Sequence, residues 1–154
     1  MKRVVDVAVR HPHYSVDTAI LESIIHTLDA WEAFSIPAGE LSIALTSGPE
    51  LARLHAHFLN NMSPTDVITF LGDTDADFAG EICLSIDQAV LEAALRDGCA
   101  ERECVLYLVH GWLHLAGLDD LHAAARATMR TAEAAALEYL KSRNVQVTGW
   151  LRKR

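Results

Sequence analysis

The segment His110-Gly-Trp-Leu-His-Leu-Ala-Gly-Leu-Asp-Asp120 constrains this chain more than any other. It closes a helix expected over Ala100 to Leu115, made very apolar by Leu106, Leu108, Val109, Leu113 and Leu115. Such a helix must be buried. Its histidines then need partners, because a buried polar group left unpaired costs about 1–3 kcal/mol. His110 and His114 are four apart, so they leave the same face one turn apart. Gly117 suits a left-handed turn ending the helix, which lets Asp120 come back toward the same point. Two imidazoles and a carboxylate make a three-ligand set with one position left for water, the usual plan of a catalytic zinc site. Zinc, nickel or copper suit two imidazoles better than magnesium does. His122, two residues beyond Asp120, could replace it if the turn were remodelled. Trp112 points off the 110/114 face and reads as packing.

The spacing also separates chemistries. In the zinc-peptidase motif a glutamate follows the first histidine and serves as general base. Gly111 stands there instead, and no other base is visible.

Along the rest of the chain, Val4 to Val9 reads as a strand. Ser15 is placed to cap a helix from about Val16 to Trp31, with Ile20, Ile24, Leu28 and Trp31 on its buried face. Glu40 to Leu45 is a second strand. Ser47, with Pro49 in the first turn, opens a short helix carrying Leu51, Leu54 and Phe58 on one face, and Asn60 to Pro64 ends it. Thr65 to Phe70 is a third strand, Gly72 to Gly80 a loop, and Glu81 to Ile86 a fourth strand. Asp87 is placed to cap a helix to about Arg96, and a last helix runs from about His122 to Arg143. The order predicts an α+β fold, a small mixed four-stranded sheet packed against about five helices.

The 154 residues suit one domain. The N-terminal apolar run is too short for a signal peptide, and no stretch is long enough to span a bilayer, so the cytoplasm is the expected location. Cys83, Cys99 and Cys104 are odd in number and form no Cys-x-x-Cys pair, which argues against a disulfide framework. A formal charge of −8 is the wrong sign for gripping nucleic acid over a broad surface. The last fourteen residues carry Lys141, Arg143, Arg152, Lys153 and Arg154 with no acid, and read as a solvated tail. His11, His13, His55 and His57 read as exposed.

His110-Gly-x-Leu-His-Leu-x-Gly-x-Asp119 resembles the signature of the YbeY family of endoribonucleases, His-Gly-x-Leu-His-Leu-x-Gly-Tyr-Asp-His. Pro64-Thr-Asp-Val-Ile-Thr-Phe70 resembles the family's Pro-Thr-Asp-Val-Leu-Ser-Phe, and Gly80-Glu-Ile-Cys-Leu-Ser85 its Gly-Asp-Ile-x-Ile-Ser. Order and spacing agree, over roughly residues 40 to 140. The resemblance implies one YbeY-like hydrolase domain over 1–154, with its metal site at the end of a buried helix. It implies a metal-dependent single-strand endoribonuclease acting in ribosomal RNA maturation and ribosome quality control, with one zinc ion per chain. The implied partners are single-stranded and ribosomal RNA and small-subunit ribosomal proteins, with no membrane. Two departures stand out. Asp120 occupies the family's third histidine position, and Leu59 replaces an arginine suited to phosphate. Arg53 reads as an ordinary surface residue, Thr65 and Asp66 as turn residues or hydrogen-bonding groups near the cleft, and Ser85 as a candidate groove residue. The rivals are a metallopeptidase of similar ligand spacing and a non-enzymatic ribosome-assembly factor with a structural metal.

Overall fold

Alternation in the strands decides how the layers stack. In the strand from Glu40 to Thr46, Leu41, Ile43 and Leu45 turn to one side and Ala44 to the other, and all four are buried. In the strand from Phe78 to Ser85, Ile82 and Leu84 share the first side and Cys83 the second. A sheet apolar on both faces needs cover on both.

The computed structural model describes residues 2–59 and 65–154. The turn read at Asn60 to Pro64, the Pro64 of the resemblance and the side chain of Leu59 lie outside the described residues. The elements are β1 (Val5–Arg10), β2 (Tyr14–Val16), α1 (Thr18–Asp29), β3 (Glu40–Thr46), α2 (Gly48–Leu59) and β4 (Val67–Asp73), followed by a 3-10 turn (Thr74–Ala76). Then come β5 (Phe78–Ser85), α3 (Ile86–Leu95), α4 (Ala100–Leu115), α5 (Ala123–Ser142) and β6 (Leu151–Lys153). The fold is α+β. Its main sheet has the order β1-β3-β5-β4, with β1, β3 and β5 parallel and β4 antiparallel to β5. Helices α1, α4 and α5 build the main core on one face. Leu51 and Leu54 of α2 cover Ala44, Ile68 and Cys83 on the other. No described helix is long and apolar enough to cross a membrane.

Several sequence expectations need correction. Asp17, not Ser15, caps α1, accepting from Ala19 N at 3.2 Å; Ser15 lies in β2 instead. Ser85, not Asp87, caps α3, accepting from Gln88 N at 3.0 Å. Ser85 is therefore a buried structural residue and not a groove residue. Asp87 bridges elements: its Oδ2 accepts from Gly48 N at 2.7 Å and its Oδ1 meets His11 Nε2 at 2.7 Å. His11 is consequently buried, contrary to the exposed reading; His13 and His57 are exposed. The loop expected over 72–80 is largely strand, since β4 and β5 continue pairing to Asp73 and Phe78.

The basic tail is also ordered. Leu151–Lys153 pairs antiparallel with Tyr14–Val16. Trp150 before it is fully buried, and Glu101 Oε2 accepts from the backbone N–H of Trp150 at 2.6 Å and of Leu151 at 2.8 Å.

Candidate metal centre

Helix α4 lies against β4 and β5 through Gly111. A Cβ built there would stand 2.7 Å from Ile82 Cγ2 and 3.1 Å from Thr69 Oγ1, closer than side chains tolerate. This contact seats the helix on the sheet and leaves the flanking histidines turned outward from the core. It also explains why no glutamate follows His110, because the sheet fills that space. Trp112 is fully buried, its ring 6.4 Å from that of Trp31, which makes it a packing residue.

The helix ends as its sequence predicts. Gly117 has φ +105°, its N–H donates to His114 O at 3.0 Å, and Leu118 N–H donates to Leu113 O at 3.1 Å. That pair of bonds is a Schellman turn. The turn brings Leu118 O to His114 Nδ1 at 2.9 Å. Asp119 then shapes the next step, its Oδ1 accepting from Leu121 N at 3.2 Å.

His110, His114 and Asp120 come together, with one ligand atom of each within 4.8 Å of the others. The two Nε2 atoms are 3.0 Å apart. Asp120 Oδ2 lies 3.4 Å from His110 Nε2, and Oδ1 lies 3.6 Å from His114 Nε2. Two ligands about 2.0–2.1 Å from a tetrahedral ion stand about 3.3 Å apart, so the spacing matches. His122 is used elsewhere, accepting from Ala125 N as the cap of α5.

The hydrogen bonds fix which ring nitrogens face inward. A carbonyl oxygen only accepts, so His114 Nδ1 carries the proton it donates to Leu118 O. His110 Nδ1 donates to the Glu133 carboxylate at 2.6 Å. With both rings neutral, their Nε2 lone pairs turn toward each other and toward Asp120. A cation between them satisfies all three acceptors, either a metal ion or a proton shared across the 3.0 Å Nε2–Nε2 contact. Carboxylate and carbonyl tethers of this kind orient histidine ligands and raise their basicity. Burial disfavours the charged form of His110, but the Glu133 hydrogen bond and charge, aided by Asp120 and Asp66, outweigh it and hold its pKa above the ordinary imidazole value.

A cleft runs from this point, lined by Asp66, Tyr107, His110, Asp120, Arg130 and Glu133 among others. Asp66 thus lines the cleft while its carbonyl accepts from Ser85 N at 2.9 Å. Thr65 Oγ1 makes a long contact to Val67 O at 3.5 Å. Arg53 pairs with Glu50 at 2.6 Å on the surface of α2 and takes no part. The sequence does not single out Glu133. Its one signal is its place beside the buried stripe Met129, Ala132, Ala136 and Leu140 of α5, and nothing in that stripe distinguishes it as a partner for a histidine 23 positions away.

Comparison with known proteins agrees with the motifs. The family described as Endoribonuclease YbeY matches residues 8–141. A Salinibacter ruber protein named Endoribonuclease YbeY is 33% identical over 133 residues, covering 80% of this chain and 83% of the relative. Proteins of the same name from Chloroflexus aggregans and a Roseiflexus species are each 33% identical, covering 82% and 86% of this chain and 89% of each relative. A Thermotoga maritima protein solved in solution is similar in fold, with a TM-score of 0.63 over 91% of each chain at 23% identity.

Proposed function

The chain belongs to the YbeY endoribonuclease family, and from that premise we propose that it is a zinc-dependent single-strand endoribonuclease. It works in ribosomal RNA maturation and ribosome quality control, in the cytoplasm, alongside small-subunit ribosomal proteins. Residues 1–154 act as one hydrolase domain. His110, His114 and Asp120 hold one zinc ion. The observation that carries this reading is the convergence of Nε2 of His110 and His114, 3.0 Å apart, with the Asp120 carboxylate beside them.

A zinc ion held there by His110, His114 and Asp120 would supply Lewis-acid chemistry to the phosphodiester. The protein's part is orientation. Glu133 and the Leu118 carbonyl hold the two rings with Nε2 turned inward, and Asp120 adds a negative charge that a third histidine would lack. Gly111 leaves no room for the peptidase glutamate, which disfavours a metallopeptidase.

The test combines metal analysis with cleavage. About one zinc per chain is expected, with cleavage of single-stranded RNA and none of casein. His114→Ala should abolish RNA cleavage. Glu133→Ala should weaken zinc binding about 10–100-fold, read by competition with a chromophoric chelator. A metal-free protein that folds and still cleaves RNA, or His114→Ala with unchanged cleavage, would overturn the reading.

A further inference from the structure

The ribbon of β2 and β6 has a composition unlike the rest of the molecule. The chain carries 21 acidic and 13 basic residues, yet Arg152, Lys153 and Arg154 are consecutive and exposed, with exposed His13 opposite Arg154 and exposed Arg10 at the end of β1. Among the described residues, no carboxylate lies within ion-pairing distance of Arg10, Arg152, Lys153 or Arg154. By contrast, Arg96 in the cleft is held by Glu92 and Glu103. Asp17, the acid next to β2 in the chain, caps α1.

The backbone that carries these cations is held in place. Lys153 pairs with Tyr14 and Arg152 with Ser15. Arg154 N donates to His13 O at 2.8 Å, and its Nε to Tyr14 O at 3.2 Å. Below them, Trp150 is fully buried and Asp17 N donates to Trp150 O at 2.8 Å. By the pleat, Arg152 and Arg154 share one face. Val16 and Leu151 pack against the core.

We propose that this ribbon is a second contact for single-stranded RNA, gripping its phosphates away from the metal centre. The proposal rests on the endoribonuclease reading. Cations without a carboxylate partner, carried on a held strand of an otherwise acidic molecule, orient a polyanion, because phosphate contacts set position and register. A membrane surface is disfavoured, since interfacial binding needs exposed apolar side chains beside the cations, whereas the residues opposite Arg152 and Arg154 are Ser15 and His13, and Tyr14 packs against the core. The ribbon is tied to α4 at Glu101, whereas the metal ligands begin at His110, nine positions or about 14 Å along the helix. A strand that spans this distance reaches both places.

The experiment measures binding of a labelled twenty-nucleotide single-stranded RNA to His114→Ala protein across a salt series. Arg152→Gln/Arg154→Gln in that background should raise Kd several-fold at low salt. The slope of log Kd against log salt should fall by about 1.4, at about 0.7 for each phosphate no longer neutralised. Arg102→Gln/Lys141→Gln changes net charge equally and should leave the slope nearly intact. Kd and slope unchanged in the ribbon variant would overturn the proposal, as would an equal weakening in the control pair or tighter binding to phosphatidylserine vesicles than to RNA. Binding is read without cleavage, so failure of the nuclease reading appears separately, in the metal and cleavage assays.

Discussion

At the scale of single residues, two atoms that are easy to overlook shape the centre. One is the missing Cβ of Gly111. Ile82 is fully buried and has nowhere to go, so Gly111→Ala should destabilise the fold by about 1–3 kcal/mol through overpacking. Urea denaturation measures this. Ile82→Ala removes both γ carbons that meet the new Cβ, so combining it with Gly111→Ala should cost less than the two changes cost separately. An alanine variant as stable as the parent would show that the helix is not seated by this contact. The other atom is the carbonyl oxygen of Leu118, which fixes the His114 tautomer without calling on any side chain. The ligand triad is legible in the sequence because spacing of four on a helix and a glycine after it carry geometric meaning. Glu133 is not legible, because contacts between elements are set by packing angles that no local pattern records.

At the scale of elements, the same distinction separates what alternation shows from what it hides. β3 and β5 alternate clearly enough to be placed within a few residues. β2 and β6 are three residues each, too short for any period, and the basic side chains of β6 suggest solvent. What holds β6 is Glu101. Partial burial pushes its carboxyl up, but the backbone N–H groups of Leu151, Gly149 and Trp150, with the Cys99 thiol, outweigh this and hold its pKa below the usual 4.5. A carboxyl depressed by folding contributes stability that is present above 4.5 and lost as pH falls through the lower folded value. Glu101→Gln should therefore be less stable than the parent at neutral pH, with the gap closing under acid. Denaturation at stepped pH checks this, and a gap that stays constant below pH 4.5 would refute it. The β4–β5 hairpin is hidden for a different reason: Gly72, Asp73 and Asp75 have turn chemistry, yet the pairing runs on beneath them to Asp73 and Phe78.

For the whole molecule, the class of fold follows from element order, while the mixed sheet order β1-β3-β5-β4 does not. Strand order depends on which crossovers the helices permit, and a succession of elements leaves that open. The order has a consequence in time. β4, β5, α3 and α4 are consecutive, spanning 67–115, and the contact of Gly111 with Ile82 and Thr69 lies wholly inside that stretch. β1 and β3 join it through parallel pairing across long connections, whose closure costs more entropy than a hairpin's. Pulsed hydrogen exchange during refolding should protect amides of β4, β5 and α4 before those of β1; protection of β1 first would contradict this order. The slab that bears the two histidines is then the part expected to form first, and α5, joined to α4 through 116–122, brings Glu133 to it across a short connection. Ligands and tether all come from one run of chain, 110–133, so the ability to hold an ion need not wait for the far edge of the sheet.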